Sequence, residues 1–133
     1  AIEIDKDVLA SLKHRCQHLG KLNILNQDVL NVDFATLWPE VSSYRLVGNL
    51  PYHISTPILF LVLTAASRIE DMHFMLQKEV TARMAASPGT KVYGRLSVMV
   101  QYLAEVTELF NVPPSAFNPP PKVDSAVVRL IPY

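Results

Sequence analysis

The sequence has one cysteine, only four glycines and no excess of charge of either sign. Cys16 has no partner for an internal disulfide, which is typical of a reducing compartment, and we therefore expect a cytoplasmic protein. Lysine plus arginine equals aspartate plus glutamate, at 12 residues each, so the composition shows no electrostatic preference for nucleic acid. This neutrality argues against RNA binding by these residues alone.

Long hydrophobic runs are also absent. The longest, PILFLVLTAA at residues 57–66, is too short to span a bilayer. The first residues, AIEIDKD, lack the basic-then-apolar layout of a signal peptide, so we expect no association with a membrane. The sequence starts without a methionine and runs straight into an apolar segment, as if it were cut from a longer chain.

Half of the residues are hydrophobic and 18% are charged, which is enough apolar material for one packed domain. Apolar segments alternate with helical patterns through the first two-thirds, which favours an α/β fold with a mostly parallel sheet. Two closing strands, TELFNV and DSAVVRLI, predict an antiparallel element at one edge. The other predicted strands are residues 1–4, 22–25, 45–48 and 72–76, and the predicted helices are residues 8–19, 56–66, 78–86 and most of 95–106.

Helix-capping residues set the expected helix starts. Asp5 or Asp7 is expected to cap the first helix, and Thr56 the second, with Pro57 as its first residue. Cys16 falls on the apolar face of the first helix, while His14 and His18 lie off that face. These three side chains would not converge, so we predict no metal site.

Polar side chains follow three of the predicted strands. In open parallel sheets, ligands bind beyond the carboxyl ends of the strands, which selects Glu3 (or Asp5), Asp28 and Asn49. Acids at successive strand ends can accept hydrogen bonds from ribose hydroxyls and from an exocyclic amine. Together they indicate a nucleoside-shaped ligand, whereas the alternative is that Asp5 and Asp28 only cap helices or turns.

A glycine-rich turn normally accompanies such an acid in a nucleotide-binding α/β unit. The four glycines, at positions 20, 48, 89 and 94, form no such loop. If the ligand is a nucleoside, we expect the loop to lie upstream of Ala1.

The third strand ends in GNLPY, residues 48–52. Leu50 precedes Pro51 and is pushed away from helical geometry, so its carbonyl stays outside any helical ladder. Asn49 offers a side-chain carbonyl on the same turn, and two neighbouring acceptors can hold both protons of an –NH₂ group. Tyr52 adds a flat face on which a base can stack. The alternative interpretation is a plain strand-to-helix turn that proline stiffens.

The motifs GNLPYHIS, DMHFMLQKEV, YGRLSVMVQY and VPPSAFNPPPKVDSAVVRL resemble the KsgA family, the ribosomal RNA adenine dimethyltransferases of the small subunit. The resemblance runs over essentially the whole chain, residues 1–133, and implies a Rossmann-like S-adenosylmethionine-dependent methyltransferase fold. It also implies a monomeric enzyme that dimethylates N6 of two adjacent adenosines near the 3′ end of small-subunit ribosomal RNA within an immature ribosomal subunit.

The resemblance further implies a role for each matching residue. Glu3 would accept from the ribose hydroxyls of the cofactor, Asp28 from its adenine amine, and Asn49 would lie where the cofactor meets the target base. The N6 amine of that flipped-out adenine would be held by Asn49 and the Leu50 carbonyl, with Pro51 fixing the turn. Its ring would lie between two aromatic residues, Tyr52 and Phe117, although an aromatic in a proline-rich loop often only pins the loop to the core.

The sequence departs from the family by absence. The family's first strand with its glycine-rich cofactor loop is not present, and neither is its small C-terminal helical domain. We therefore expect a partial methyltransferase domain that is inactive by itself. The alternatives are a non-catalytic RNA-binding assembly factor of the same fold, a macrolide-resistance-type large-subunit methyltransferase and, last, a DNA adenine methyltransferase. Those macrolide-resistance enzymes usually carry isoleucine in place of Leu50.

Overall fold

Four strands and four α-helices account for most of the regular structure in the computed structural model, which describes residues 1–133. The chain divides into two compact units, Ala1–Asp33 and Phe34–Tyr133. The strands are β1 (Tyr44–Asn49), β2 (Ile69–Gln77), β3 (Ala104–Val112) and β4 (Ser125–Pro132). The helices are α1 (Lys6–Cys16), α2 (Ser55–Thr64), α3 (Lys78–Met84) and α4 (Arg95–Leu103).

All four strands belong to the second unit and form one sheet in the order β1-β2-β4-β3. β1 pairs with β2 in parallel, while β4 pairs antiparallel with both β2 and β3. The predicted antiparallel edge is therefore confirmed. The sheet is mixed rather than mostly parallel, because the two segments expected to supply further parallel strands do not form strands in this structure.

The core of the second unit follows from the two-residue alternation of its central strands. On β2, Met72, Phe74 and Leu76 are buried, and they lie opposite Leu130, Val128 and Ala126 of β4 in register. Helix α2 buries one face and packs against α4, which in turn packs against α3. The face of α2 consists of Ile58, Leu59, Val62 and Leu63.

The first unit, Ala1–Asp33, has much less packing. Ile2 and Leu25 form one isolated parallel bridge, so the strands predicted at residues 1–4 and 22–25 are reduced to a single pairing. Helix α1 begins after Asp5, whose side chain accepts a hydrogen bond from the Asp7 amide, as predicted for one of the two candidate caps. No residue of α1 is buried, although its apolar residues recur at helical spacing.

Helix α2 does not begin as predicted. Ile54 occupies the N-cap position without a side-chain hydrogen bond, and Pro57 is the third helical residue. The reason is that a 3₁₀ turn at Tyr52–Ile54 runs directly into the helix, so that Thr56 is already a helical residue and cannot occupy the N-cap position. Pro57 is still tolerated, because amides of the first helical turn have no partner within the helix.

No helix in this chain combines the length and the apolar character needed to cross a bilayer.

Candidate active site

Three connections leave the sheet of the second unit at the same end of its strands. The register places Asn49 of β1 beside Met75 of β2, and Met75 beside Val127 of β4. The segment after β1, the start of α3 after β2 and the proline-rich connection between β3 and β4 therefore emerge side by side. This is the carboxyl edge of the parallel pair, where α/β folds place ligands.

Asn49 and Leu50 present the two predicted acceptors at this edge. Asn49 is the last residue of β1 and its side chain is exposed. The Leu50 amide donates to the Met75 carbonyl at 3.2 Å, which continues the parallel ladder one residue beyond the strand. The Leu50 side chain is 8% exposed and anchors the turn in the core. The amide hydrogen bond and the buried side chain of Leu50 together fix the position of its backbone, including the carbonyl.

Gly48 is a contributor that the sequence did not single out. A Cβ atom at this position would lie 3.0 Å from Leu50 Cδ2 and 3.5 Å from Phe74 Cδ1. The absence of a side chain therefore lets Leu50 fold back over its own strand. In the sequence, a glycine immediately before the Asn-Leu-Pro-Tyr segment could have indicated this close approach.

Tyr52 is held at both ends. Its hydroxyl forms a 2.7 Å hydrogen bond with the Ser125 hydroxyl, and its backbone carbonyl accepts from the Ser55 hydroxyl at 3.1 Å. Pro51 has φ −58° and ψ 128°, an extended geometry, and its carbonyl accepts from the Ile54 amide. Of two buried serines, Ser55 therefore holds the backbone of Tyr52 and Ser125 holds its half-buried aromatic side chain.

Phe117 lies in the connection between β3 and β4. It follows the 3₁₀ turn Pro114–Ala116, to which its amide donates a 3.1 Å hydrogen bond at the Pro114 carbonyl, and its side chain is half-buried. The peptide bond between Asn118 and Pro119, the second one after Phe117, is cis. The connection then runs through residues 118–124 to β4, whose first residue, Ser125, is the hydrogen-bond partner of the Tyr52 hydroxyl.

A pocket of about 330 Å³ opens at this edge. It is bounded by the end of β2, the start of α3 and the end of the proline-rich connection. Lys78 brings a cation to its wall, and the backbone amide of this residue donates to the Asp124 carbonyl at 2.9 Å. The lining residues are Gln77, Lys78, Glu79, Ala82, Val123 and Asp124.

Within the first unit, Glu3 and Asp28 follow the two bridged segments on the same side. The side-chain Nδ2 of Asn26 donates to the backbone carbonyls of Glu3 and Ile4, at 2.8 and 3.1 Å, which ties the two segments together beyond the bridge. Asp28 Oδ1 accepts from the Leu30 amide at 2.9 Å, and Glu3 Oε1 accepts from the Asp5 amide at 2.8 Å. Each carboxylate therefore caps a local turn with one oxygen and has a second oxygen to offer.

A charged cluster lies at the opposite end of β1 and β2. Glu70 accepts from the Ser43 hydroxyl at 2.5 Å and from Arg45 Nε at 3.2 Å. These hydrogen bonds, the one from Ser43 first, hold the pKa of Glu70 below its usual value. Arg45 also approaches Asp71, at 3.4 Å. The cluster is remote from Asn49 along β1 and belongs to the surface of the strand starts.

The whole chain, residues 1–133, matches the family model described as ribosomal RNA adenine dimethylase. The chain belongs to this family. The family resemblance predicted from the sequence motifs is confirmed.

Curated relatives agree with this family. Ribosomal RNA small subunit methyltransferase A of Xanthomonas axonopodis pv. citri (strain 306) is 62% identical over 131 residues, which cover 98% of this chain and 50% of that protein. The protein of the same name from Xylella fastidiosa (strain 9a5c) is 62% identical over 133 residues, covering 99% of this chain and 50% of that protein. The chain spans about half the length of the curated relatives it matches.

Two solved structures share the fold over nearly the whole chain. A dimethyladenosine transferase from Plasmodium falciparum gives a TM-score of 0.84 at 36% identity, covering 99% of this chain and 46% of that one. The 23S rRNA methyltransferase ErmE gives a TM-score of 0.83 at 30% identity, covering 99% of this chain and 51% of that one. The predicted α/β, Rossmann-like methyltransferase fold is confirmed.

The structure sorts the predicted site residues by unit. Asn49, Leu50, Pro51 and Tyr52 form one turn in the second unit, and Phe117 lies on a neighbouring connection at the same sheet edge. Glu3 and Asp28 lie together in the first unit. Sequence reasoning missed Gly48, Ser55 and Ser125, which shape and hold the turn.

Proposed function

We propose that these residues form part of the methyltransferase domain of an S-adenosylmethionine-dependent enzyme that methylates N6 of adenosine in small-subunit ribosomal RNA. The finer proposal is dimethylation of two adjacent adenosines near the 3′ end of that RNA, within an immature subunit and by a monomeric enzyme. One observation carries it: in a chain of this family, the Asn49–Tyr52 turn presents two neutral acceptors beside an anchored aromatic ring.

The acceptors suit an aromatic amine. The Asn49 side-chain oxygen and the Leu50 carbonyl can each accept one N6 proton, which holds the amine by both hydrogens. Neither acceptor is charged, so the amine is oriented without being protonated. As the N–H bonds polarise toward these oxygens, electron density on nitrogen rises. Positioning and polarisation of this kind supply much of the rate enhancement when a reaction needs no strong base.

The aromatic residues suit a base that has left its stack. An enzyme that modifies a base must flip it out of the RNA and replace the lost stacking. Stacking on one aromatic side chain contributes about 1–3 kcal/mol per base. Tyr52 is tethered through its hydroxyl, and the connection that carries Phe117 leaves the sheet at the same end of the strands, from which Phe117 would approach the second face of the adenine.

The cofactor part of the proposal rests on the first unit. Glu3 and Asp28 have acceptor oxygens beyond those used by their turns, which fits the ribose hydroxyls and the adenine amine of a nucleoside cofactor. S-adenosylmethionine, when bound, supplies an electrophilic methyl group on a positively charged sulfur. Asn49, in the second unit, has the proposed role of facing both the cofactor and the target base.

The test is methyl transfer from labelled S-adenosylmethionine to immature small subunits by the full-length protein that carries these residues. Asn49→Ala should lower kcat by about two orders of magnitude or more, because orienting an attacking group contributes on this scale. Asn23→Ala is the matched control, since Asn23 is exposed and uses only its backbone carbonyl in hydrogen bonding to Ala1. Full activity in the Asn49 variant would remove that residue from the mechanism.

Two further arms separate the alternatives. Transfer to large-subunit RNA in preference to immature small subunits would favour a function like that of ErmE, a 23S rRNA methyltransferase. Absence of S-adenosylmethionine binding in a calorimetric titration would favour a non-catalytic assembly factor that has kept the fold.

A further inference from the structure

The hydrogen bond between Tyr52 and Ser125 joins two side chains that are 73 residues apart in sequence. Its donor–acceptor distance is 2.7 Å, which is normal for two hydroxyls. Tyr52 lies in the 3₁₀ turn after β1, and Ser125 is the first residue of β4. The bond therefore crosses from the turn after an edge strand to a strand in the middle of the sheet.

Ser125 is well suited to be a fixed anchor. Its side chain is 0% exposed, and its backbone lies in register with Gln77 of β2 on one side and with Val112 of β3 on the other. A serine in an exposed loop would give the ring a mobile partner. A serine clamped between two strands fixes the position of the hydroxyl to which Tyr52 is bound.

Because the Tyr52 hydroxyl lies at the far end of the ring, its hydrogen bond restricts the orientation of the whole ring. Rotation about the first side-chain torsion would swing the whole ring away from the base-binding edge, and the hydroxyl tether opposes that rotation. The Ser55 bond to the Tyr52 carbonyl fixes the backbone but not the ring. Of the two serines, only Ser125 acts on the orientation of the aromatic face.

We propose that Ser125 is a positioning residue that holds the Tyr52 ring in the orientation that stacks on the target adenine. This inference rests on the proposed function. Ser125 touches neither the base nor the cofactor in this scheme and acts entirely through Tyr52.

A purely structural role predicts something different. Buried hydroxyls generally need a partner, and Ser125 would then only satisfy Tyr52 to stabilise the fold. Loss of either hydroxyl would lower stability and leave the turnover of the folded enzyme unchanged. A positioning role instead requires that turnover falls in molecules that remain folded.

The experiment is a double-mutant cycle in the full-length enzyme, with Tyr52→Phe, Ser125→Ala and the combination. Each single variant should lower kcat about threefold to tenfold, with the KM for S-adenosylmethionine unchanged, because one neutral hydrogen bond has this scale. The double variant should be no slower than the slower single variant, since both remove the same bond. Ser97→Ala is the matched control: Ser97 is also 0% exposed, but its hydroxyl donates to the Arg83 carbonyl.

A second readout reports on stacking without turnover. Short RNA with 2-aminopurine at the target position is bound to each variant, and its fluorescence lifetime is measured. A loosened ring quenches the flipped base less, so Ser125→Ala and Tyr52→Phe should lengthen the mean lifetime relative to wild type and Ser97→Ala.

The outcomes separate this inference from the proposed function. Wild-type kcat and lifetime in Tyr52→Phe, which keeps the ring and Ser125, would overturn the positioning role while methyl transfer stands. Losses that multiply in the double variant would overturn it as well. A wild-type protein that transfers no methyl group would overturn the proposed function and this inference with it. If Ser125→Ala fails to fold, Tyr52→Phe alone decides.

Discussion

Residues 34–133 and residues 1–33 differ in how their candidate ligand groups are held. In the second unit the Asn49–Tyr52 turn is fixed by a strand ladder, a buried leucine and a cross-sheet hydrogen bond to Ser125. In the first unit Glu3 and Asp28 are placed by a single bridge and by hydrogen bonds within short turns. The proposed base-binding residues are thus held by tertiary packing, and the proposed cofactor-binding residues by one bridge and a few hydrogen bonds.

This difference follows from what each unit buries. Nearly all of the core hydrophobic side chains belong to residues 34–133, whereas α1 contributes none. Orientation of an amine for attack requires side chains that cannot relax, and close packing provides that rigidity. Carboxylates that accept hydrogen bonds from ribose and adenine need only the right orientation, and a hydrogen-bonded turn can provide that orientation without a packed core. We therefore expect mutations of the two sets of proposed site residues to have different effects.

The largest expected contrast is in stability. Leu130→Ala should lower the free energy of unfolding by about 2–5 kcal/mol, because Leu130 is 0% exposed, lies opposite Met72 of β2, and its truncation leaves a cavity in the core. Val8→Ala on α1 should change it by no more than about 0.5 kcal/mol, because Val8 is 42% exposed. Urea denaturation of the chain measures both. A loss at Val8 as large as that at Leu130 would show that something other than residues 1–33 covers α1.

Sequence patterns predicted the packed unit better than the other one. β2, β4 and the antiparallel edge follow from runs whose alternating side chains meet across the sheet. The strands at residues 1–4 and 22–25 were overpredicted, because an apolar run shows that a segment is able to pair but not that partners are present. The expected cap at Thr56 failed for a related reason, since the turn at Tyr52–Ile54 already starts the helix.

The candidate site was predictable where its residues share one motif. Asn49, Leu50, Pro51 and Tyr52 are consecutive, so their joint placement needed only the end of β1. Ser125 was not predictable, because its contact with Tyr52 depends on β4 lying beside β2, which no local pattern specifies. A lone serine at the head of an apolar strand gives no warning of a partner 73 residues away.

The next contrast is in cofactor binding. Asp28→Asn keeps an oxygen for the Leu30 amide and so keeps the turn, but it replaces the second oxygen by an –NH₂ donor that cannot receive an amine. We expect the Kd for S-adenosylmethionine to rise about tenfold, equivalent to about 1.4 kcal/mol. Calorimetric titration of the full-length protein measures this change.

The matched control for this variant is Asp5→Asn. Asp5 caps α1 through the Asp7 amide in the same manner, and the change should leave the Kd unaltered. Equal losses in the two variants would mean that turn stability, and not the second oxygen of Asp28, governs cofactor binding. The first unit would then contribute to cofactor binding only through the stability of its turns.

The smallest expected effect lies outside both halves of the site, at Glu70. Hydrogen bonds from Ser43 and Arg45 lower the pKa of this carboxyl in the folded protein, so the charged form is favoured by folding. Its contribution to stability is therefore present above the unfolded-state pKa and is lost as the pH falls through the folded-state pKa. Because Glu70 is exposed, solvent screening keeps this contribution small.

Glu70→Gln should unfold at slightly lower urea concentration than wild type near neutral pH, and the two midpoints should converge in acid. A difference that grew on acidification would reverse the sign and show that Glu70 binds its proton more tightly in the folded state.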